Sequence, residues 1–452
     1  MKKVCIIDPS STEFNRGSFC YAPYLLHNIF KGSTKDKEDI AFVEAFKMED
    51  LDTIPESDLY IVCLWSYPQI EACLTLYQNL PFMFGENNVY FSGYTALIEQ
   101  LGLPTLADAF GYDLLQNEEL LLSAMSNYPN YYKDFKYLLL SDCDMHLKSL
   151  EKDELVYPLF LSYGCPNGCS FCPSTLNCGK KRVVIPIEKS ISILHQCKRQ
   201  GIKAIHFTDE DFFFDIHRAY EILQGIAGMG FNLIALGSAA AVRLFIQTYG
   251  TDILQEAGMK VIEIGFESGD SGMSKKMGTG KSLSDCEQLA SIQHELPFDI
   301  FWLVLTFFPG ETIQTLNETG KFLRKYGFDE SEVVGRLRTN GTKGGLGQFY
   351  QPYHGTPLFK NADKRGEFLT HRPVRLSPSY LPNSFLDSVI TEIRPERLEN
   401  ALPWLRLYNV HIDITSLSIG QKIAIHLRDL PLVQKVRRAI ALTILARMEV
   451  IS

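Results

Sequence analysis

Between residues 155 and 340 the chain alternates short apolar runs with longer stretches whose apolar positions recur every three or four residues. The first pattern is that of buried strands, the second that of amphipathic helices. Strands are predicted at Val156–Tyr163, Ala204–Thr208, Leu233–Gly237, Val261–Phe266, Phe301–Phe307 and Glu332–Leu337. Helices are predicted near Ile187–Arg199, Ile216–Ile226, Val242–Glu256, Leu283–Glu295 and Thr312–Lys325. Regular strand–helix alternation implies a parallel sheet, and the spacing suggests a (β/α) barrel.

The flanking regions read differently. Over residues 1–150 strands are predicted at Val4–Ile7, Leu59–Leu64 and Val89–Phe91, with helices at Tyr24–Phe30 and Gln69–Asn79. This is the pattern of a Rossmann-like open parallel sheet. The strand ends near Asp8, Ser66 and Gly93 would line one edge, where such sheets bind ligands. Four glycines between Gly341 and Gly347 mark a flexible connection. Beyond Pro352 come many prolines, then helical patterns from Leu402 and Ile419 onward. The basic helix with Lys435, Arg437, Arg438 and Arg447 reads as a solvated face. The fold class is therefore α/β, in three regions. Residues 1–150 form the open sheet, 151–340 the barrel, and 341–452 a mainly helical domain that closes on substrate.

Composition narrows the classes. The 452 residues are 46% hydrophobic and 21% charged, ordinary for a globular chain of two or three domains. A net charge of -9 argues against sequence-independent binding to nucleic acid, which needs a basic footprint. No apolar run approaches the roughly 18 residues that span a bilayer. There are 11 cysteines, an odd count, and Met1-Lys2-Lys3-Val4 runs straight into a strand. Both point to a reducing cytoplasm. The 29 Phe and 21 Tyr fill cores and identify no substrate.

The densest chemistry lies in Gly-Cys-Pro-Asn-Gly-Cys-Ser-Phe-Cys-Pro, where Cys165, Cys169 and Cys172 are spaced C-x3-C-x2-C. Three thiolates can hold three irons of a 4Fe-4S cluster and leave the fourth iron open to a ligand. Zinc would want a fourth protein ligand, which Cys178 could supply. The preceding strand ends at Gly164, and Pro166 and Gly168 force a tight loop. The thiols therefore sit at the carboxyl end of a strand, where parallel barrels keep their chemistry.

With Phe171 before the last cysteine, the motif resembles that of the radical S-adenosylmethionine (SAM) superfamily. The resemblance implies that the open iron chelates SAM. An electron from the cluster then cleaves a C–S bond to give a 5′-deoxyadenosyl radical. It also implies a partial (β/α)6 barrel of TIM type. Asp209 and Asp211 in Phe207-Thr208-Asp209-Glu210-Asp211 become candidates for the amino group of SAM. Glu210 ranks below them by strand alternation. Ser238 and Arg243 resemble the family's polar residue and arginine near the SAM carboxylate and ribose. An ion pair is the other reading of Arg243. Ile264-Gly265-Phe266-Glu267-Ser268-Gly269 resembles the Gly-x-Glu-Ser-Gly signature, with Gly265 allowing close approach and Glu267 meeting polar atoms of SAM. Phe308-Pro309-Gly310-Glu311-Thr312 and Gly355-Thr356-Pro357 match two further turns of this branch.

The N-terminal region resembles the cobalamin-binding domain that precedes many such barrels, with Ser66 and Gly93 at its ligand edge. Ser92-Gly93 stands where that domain often has Gly-Gly, and no Asp-x-His-x-x-Gly motif offers a histidine to cobalt. Cobalamin-dependent C-methylation in natural-product or cofactor biosynthesis is one implied outcome. A cobalamin-independent epimerisation, dehydration, rearrangement or peptide modification is the alternative. Both take a small molecule or peptide as substrate and need an electron donor such as a flavodoxin or ferredoxin. A methylthiotransferase would carry three further cluster cysteines, and Cys5 and Cys63 fall within predicted strands. A non-catalytic iron–sulfur or zinc protein explains the cysteines but leaves the Glu267 motif without a reason.

Overall fold

A computed structural model describes residues 3–9, 26–30, 40–43, 48–64, 69–84, 88–111, 114, 117–127, 156–177, 179–279, 282–306, 308–326, 347–349, 353 and 355–364. Ser66, Cys178, the strand expected at 332–337 and the helices expected from Leu402 and Ile419 lie outside the described residues.

Two parallel sheets organise the described chain. The first contains β1 (Val4–Ile7), β2 (Ile40–Val43), β3 (Leu59–Leu64) and β4 (Asn88–Gly93), in the order β2-β1-β3-β4. Every residue of β1 and β3 is buried. Such unbroken apolar runs are the mark of strands covered on both faces. The order reverses between β1 and β3, which makes their carboxyl ends a topological switch point.

The second sheet draws on β5 (Val156–Leu159), β8 (Ala204–Phe207), β9 (Asn232–Gly237), β10 (Met259–Glu267), β11 (Asp299–Thr306) and β12 (Gly347–Phe349). Its strand order, β12-β11-β10-β9-β8-β5, follows the chain without a reversal. A short antiparallel ladder pairs β6 (Ser162–Tyr163) with β7 (Val183–Val184). The chain is therefore an α/β protein with parallel sheets.

The helices Ile187–Arg199 and Ile216–Ile226 form where their apolar spacing predicts. Asp215 caps the second by accepting from the N–H groups of His217 and Arg218, both at 3.1 Å. The long helix expected at 242–256 is two helices, Ala239–Tyr249 and Asp252–Ala257, because Gly250 ends the first. The strand expected over 156–163 is also interrupted, after Leu159.

The chain divides into two compact units. One comprises residues 1–265, 279–302 and 353–356, and the other 266–278, 303–352 and 357–452. In the first, Leu194, Cys197, Ile222, Leu223, Leu233 and Phe245 are fully buried. In the second, Phe266 stacks on Phe322 with ring centroids 4.2 Å apart.

Gly258 ends the helix Asp252–Ala257 with φ +95, and a Cβ there would lie 1.9 Å from the carbonyl oxygen of Phe231. Gly258→Ala therefore combines left-handed strain with a backbone collision. It should destabilise the protein by about 2–3 kcal/mol, read as a lowered midpoint in thermal or urea unfolding.

Candidate active site

The cysteine loop is closed at its base by the β6–β7 ladder, supported by the Ile185 N–H donating to Leu161 O at 2.9 Å. Within the loop, the Cys165 N–H donates to Gly179 O and the Cys172 N–H to Cys169 O, both at 3.2 Å. Cys165, Cys169 and Cys172 are half-buried and carry no disulfide. Phe171 is half-buried beside them. Among the described residues no three His, Cys, Asp or Glu side chains gather around one point as a single ion requires. A cubane asks for a different arrangement, because each thiolate holds its own iron. Three soft donors on one short loop fit that group.

Burial pushes the Cys172 thiol up to about 12, with the Glu210 carboxylate adding to the effect. Burial also raises Cys165, and Glu210 and Asp211 push in the same direction. A metal taking these sulfurs must displace their protons. Ser174 contacts Cys172 twice. Its N–H donates to Sγ at 3.4 Å, and its Oγ accepts from the thiol at 3.2 Å. The Ser174 hydroxyl in turn donates to Glu210 Oε2 at 2.9 Å.

The three acidic residues after β8 divide their work. Asp209 is buried, and its carboxylate accepts from the Leu161 N–H at 3.0 Å and from the Ser162 hydroxyl. Asp211 is also buried and accepts from the N–H groups of Phe213 at 3.1 Å and Ser238 at 3.3 Å. Burial raises the pKa of both. Arg182 bonds the Ser162 hydroxyl at 2.9 Å and the Asp211 carbonyl at 2.8 Å, with its guanidinium 4.7 Å from the Phe214 ring centroid. Asp209 and Asp211 thus fasten the strand ends. Glu210 is the half-buried carboxylate that reaches the cysteine loop through Ser174.

Ser238 precedes the helix Ala239–Tyr249 and makes no side-chain cap. Arg243 pairs with Asp285 at 2.9 Å and bonds Gln247 at 2.9 Å. The ion pair that the sequence allows for Arg243 is present.

Gly265 and Glu267 end β10. Glu267 is buried and has φ +68, the one positive φ outside glycine among the described residues. The Ser268 N–H donates to Phe266 O at 2.9 Å across it, which makes Glu267 the centre of a strained γ-turn. Such strain persists only where the surroundings impose it, and it gathers at functional sites.

Sequence reasoning missed one polar pair. His206 Nε2 lies 3.5 Å from Glu263 Oε2, both side chains buried. The register pairs His206 with Ile234 and Glu263 with Leu236, so all four share one face of the sheet. A Cβ on Gly237 would strike Val242 of the helix Ala239–Tyr249, so that helix covers the opposite face. A histidine in Ala-Ile-His-Phe and a glutamate in Val-Ile-Glu-Ile were the available signals: ionisable residues inside buried strands.

The carboxyl edge of the N-terminal sheet ends beside the cysteine loop. Gly93 closes β4 with φ 124, a conformation open to glycine. The Tyr94 N–H donates to Leu64 O at 2.7 Å. The helix Thr95–Gln100 then packs on Ser174–Asn177, the short helix that follows Cys172. Tyr94 also meets Tyr353, with ring centroids 6.0 Å apart. Burial pushes the Tyr353 phenol up to about 12, and the charge of Cys172 adds to that rise. Asp8, after β1, is buried, and its N–H donates to Val43 O at 2.9 Å.

Fold and site define an α/β protein with a cluster-type cysteine loop at the carboxyl end of a parallel sheet. Residues 159–323 match the model of the radical SAM superfamily. An uncharacterized methyltransferase of Pyrococcus horikoshii is 27% identical over 214 residues, covering 46% of this chain and 42% of its own. The bacteriochlorophyllide d C-12(1)-methyltransferase of Chlorobaculum tepidum is 23% identical over 237 residues, covering 51% of this chain and 47% of its own. This chain thus spans under half the length of these two relatives. The solved structure of the cobalamin-dependent SAM radical enzyme OxsB, with aqua-cobalamin and SAM bound, resembles the fold. Its TM-score is 0.54 at 14% identity, covering 98% of this chain and 72% of that one.

The strain at Glu267 is separable from its carboxylate. Glu267→Gly and Glu267→Ala both remove the acid, but only glycine relieves the left-handed φ. The glycine variant should be the more stable by about 1 kcal/mol, the reverse of the usual order in a strand. Thermal unfolding of the two variants checks it.

Proposed function

We propose that the protein is a radical SAM methyltransferase that functionalises an unactivated C–H bond of a small molecule or peptide. In this reading Cys165, Cys169 and Cys172 hold a 4Fe-4S cluster and the N-terminal sheet edge holds cobalamin. When bound, the cluster supplies the electron that cleaves SAM and cobalamin carries the methyl group to carbon. The observation that carries the reading is the meeting of β4's carboxyl end with the cysteine loop, through the helices Thr95–Gln100 and Ser174–Asn177 and the Tyr94–Tyr353 contact. Two cofactor edges must be neighbours if one substrate is to use both.

Each residue then has a task. The three thiolates hold separate irons. Glu210 receives the ammonium of SAM, since it reaches Ser174 while Asp209 and Asp211 secure the loop from below. Ser238, Gly265 and Glu267 remain the candidates for polar atoms of SAM, and Phe171 for contact at the cluster. Gly93 keeps the sheet edge open for the corrinoid, with Ser66 on the neighbouring strand end. Residues 1–150 would form the cobalamin-binding domain, 151–340 the partial (β/α)6 barrel and 341–452 the closing domain. A flavodoxin or ferredoxin would deliver the electron. Among the described residues no helix is long and apolar enough to cross a membrane.

The missing Asp-x-His-x-x-Gly motif favours a second reading, in which cobalamin is not bound and the outcome is an epimerisation, dehydration or rearrangement. Reconstitution with iron, sulfide and hydroxocobalamin separates the two. Wild type should show the 4Fe-4S spectrum, bind the corrinoid and form 5′-deoxyadenosine from SAM under reduction. Ala at Cys165, Cys169 or Cys172 should abolish cluster and product, whereas Cys178→Ala should keep both. Gly93→Trp should lose cobalamin and retain iron. Corrinoid binding indifferent to Gly93→Trp would refute the location, and no corrinoid binding at all would leave the second reading.

A further inference from the structure

Ser174 stands between a cluster-type cysteine and a carboxylate. Its backbone N–H donates to Cys172 Sγ at 3.4 Å, and its oxygen lies 3.2 Å from the same sulfur. Its hydroxyl proton goes to Glu210 Oε2, 2.9 Å away. A serine hydroxyl has a single proton to give. While Cys172 is a thiol, the sulfur supplies its own proton to Ser174 Oγ and the serine proton is free for Glu210. A metal-bound cysteine is a thiolate and has no proton to give. The Ser174 oxygen then faces two acceptors, sulfur on one side and carboxylate on the other, and its proton serves one at a time.

We propose that Ser174 is a positioning residue that couples occupancy of Glu210 to the reduction potential of a cluster held by Cys172. With Glu210 unoccupied, the carboxylate draws the hydroxyl proton. When a cationic amine engages Glu210, that demand falls and the proton turns to the Cys172 sulfur. A hydrogen bond to a ligand sulfur favours the added electron, so the potential rises. The cluster accepts its electron more readily when the amine is in place. The inference rests on the reading of Cys172 as a cluster ligand, and it assigns a residue outside the cysteine motif.

The test is an EPR-monitored redox titration of the full-length, cluster-reconstituted protein, with and without S-adenosylhomocysteine. That probe carries the amine of SAM but lacks the sulfonium. Wild type, Ser174→Ala, Glu210→Gln and the double variant form a cycle. The wild-type midpoint should rise on adding the probe. Ser174→Ala should bind the same iron at a lower midpoint and lose the response, and Ser174→Thr should restore both. Glu210→Gln should raise the midpoint without any probe, and the rise should shrink when Ser174 is also absent. Additive shifts in the double variant, or an unaltered response in Ser174→Ala, would overturn the coupling and leave the cluster assignment standing. A wild-type protein that takes up no 4Fe-4S cluster would overturn both.

Discussion

Asp209 and Asp211 are buried at the carboxyl end of β8, where an ionised group without partners would cost several kcal/mol. Their partners are the backbone N–H groups of Leu161, Phe213 and Ser238 and the hydroxyl of Ser162. Leu161 and Ser162 lie between β5 and the end of β6, Phe213 in the loop after β8, and Ser238 directly after β9. Arg182 adds the Ser162 hydroxyl and the Asp211 carbonyl to the same network. Arg218, also buried, bonds the carbonyls of Leu161 and Ile185 at 3.1 and 2.8 Å. The base of the cysteine loop is thus held by charge-assisted hydrogen bonds, each stronger than a neutral one. A loop that must present three thiols in fixed relation needs such a foundation, because the loop itself buries little apolar surface.

The same network explains why parts of the molecule were legible in the sequence and others were not. Periodicity located Ile187–Arg199 and Ile216–Ile226 because each helix buries one stripe, and local spacing encodes a stripe. It failed at 160–161, where an apolar run leaves the strand because Leu161 donates to a carboxylate 48 residues away. It could not choose a role for Arg243, whose partner Asp285 lies 42 residues on. The cysteines, the Glu-Ser-Gly signature and the Pro-Gly-Glu-Thr turn were readable because their meaning is local. Alternation along a strand gives no guidance on the direction of Glu210. β8 ends at Phe207, and the next residues form a turn whose side-chain directions owe nothing to a pleat.

Strain and burial mark different parts of β10. Glu267 carries its strain in the backbone, where the bond between Ser268 and Phe266 forces a turn into the end of a strand. The next residues hold that turn in place: Gly269 N–H donates to Thr319 Oγ1 at 2.9 Å, and Asp270 caps the helix Ser271–Met277 by accepting from Met273 N–H at 2.8 Å. Glu263 carries no such strain. It sits in regular strand register, and its cost is desolvation, offset by His206 across one intervening strand. Burial of ionisable side chains on the face away from the helices puts polarity where the sheet's own stability gains least from it.

The aromatic contact between Tyr94 and Tyr353 adds a constraint of another kind. Tyr94 follows Gly93 at the end of β4 and is fully buried. Tyr353 belongs to the segment Gln351-Pro352-Tyr353-His354-Gly355-Thr356, and its carbonyl accepts from the Thr356 hydroxyl at 2.7 Å. Burial raises the pKa of its phenol, and Cys172 adds to the rise. The hydrogen-bonded chain from Cys172 through Ser174 to Glu210 starts at the helix on which Thr95–Gln100 packs. Its three side chains are half-buried, so a change at the carboxylate would reach the sulfur through these hydrogen bonds and not through a water-free field.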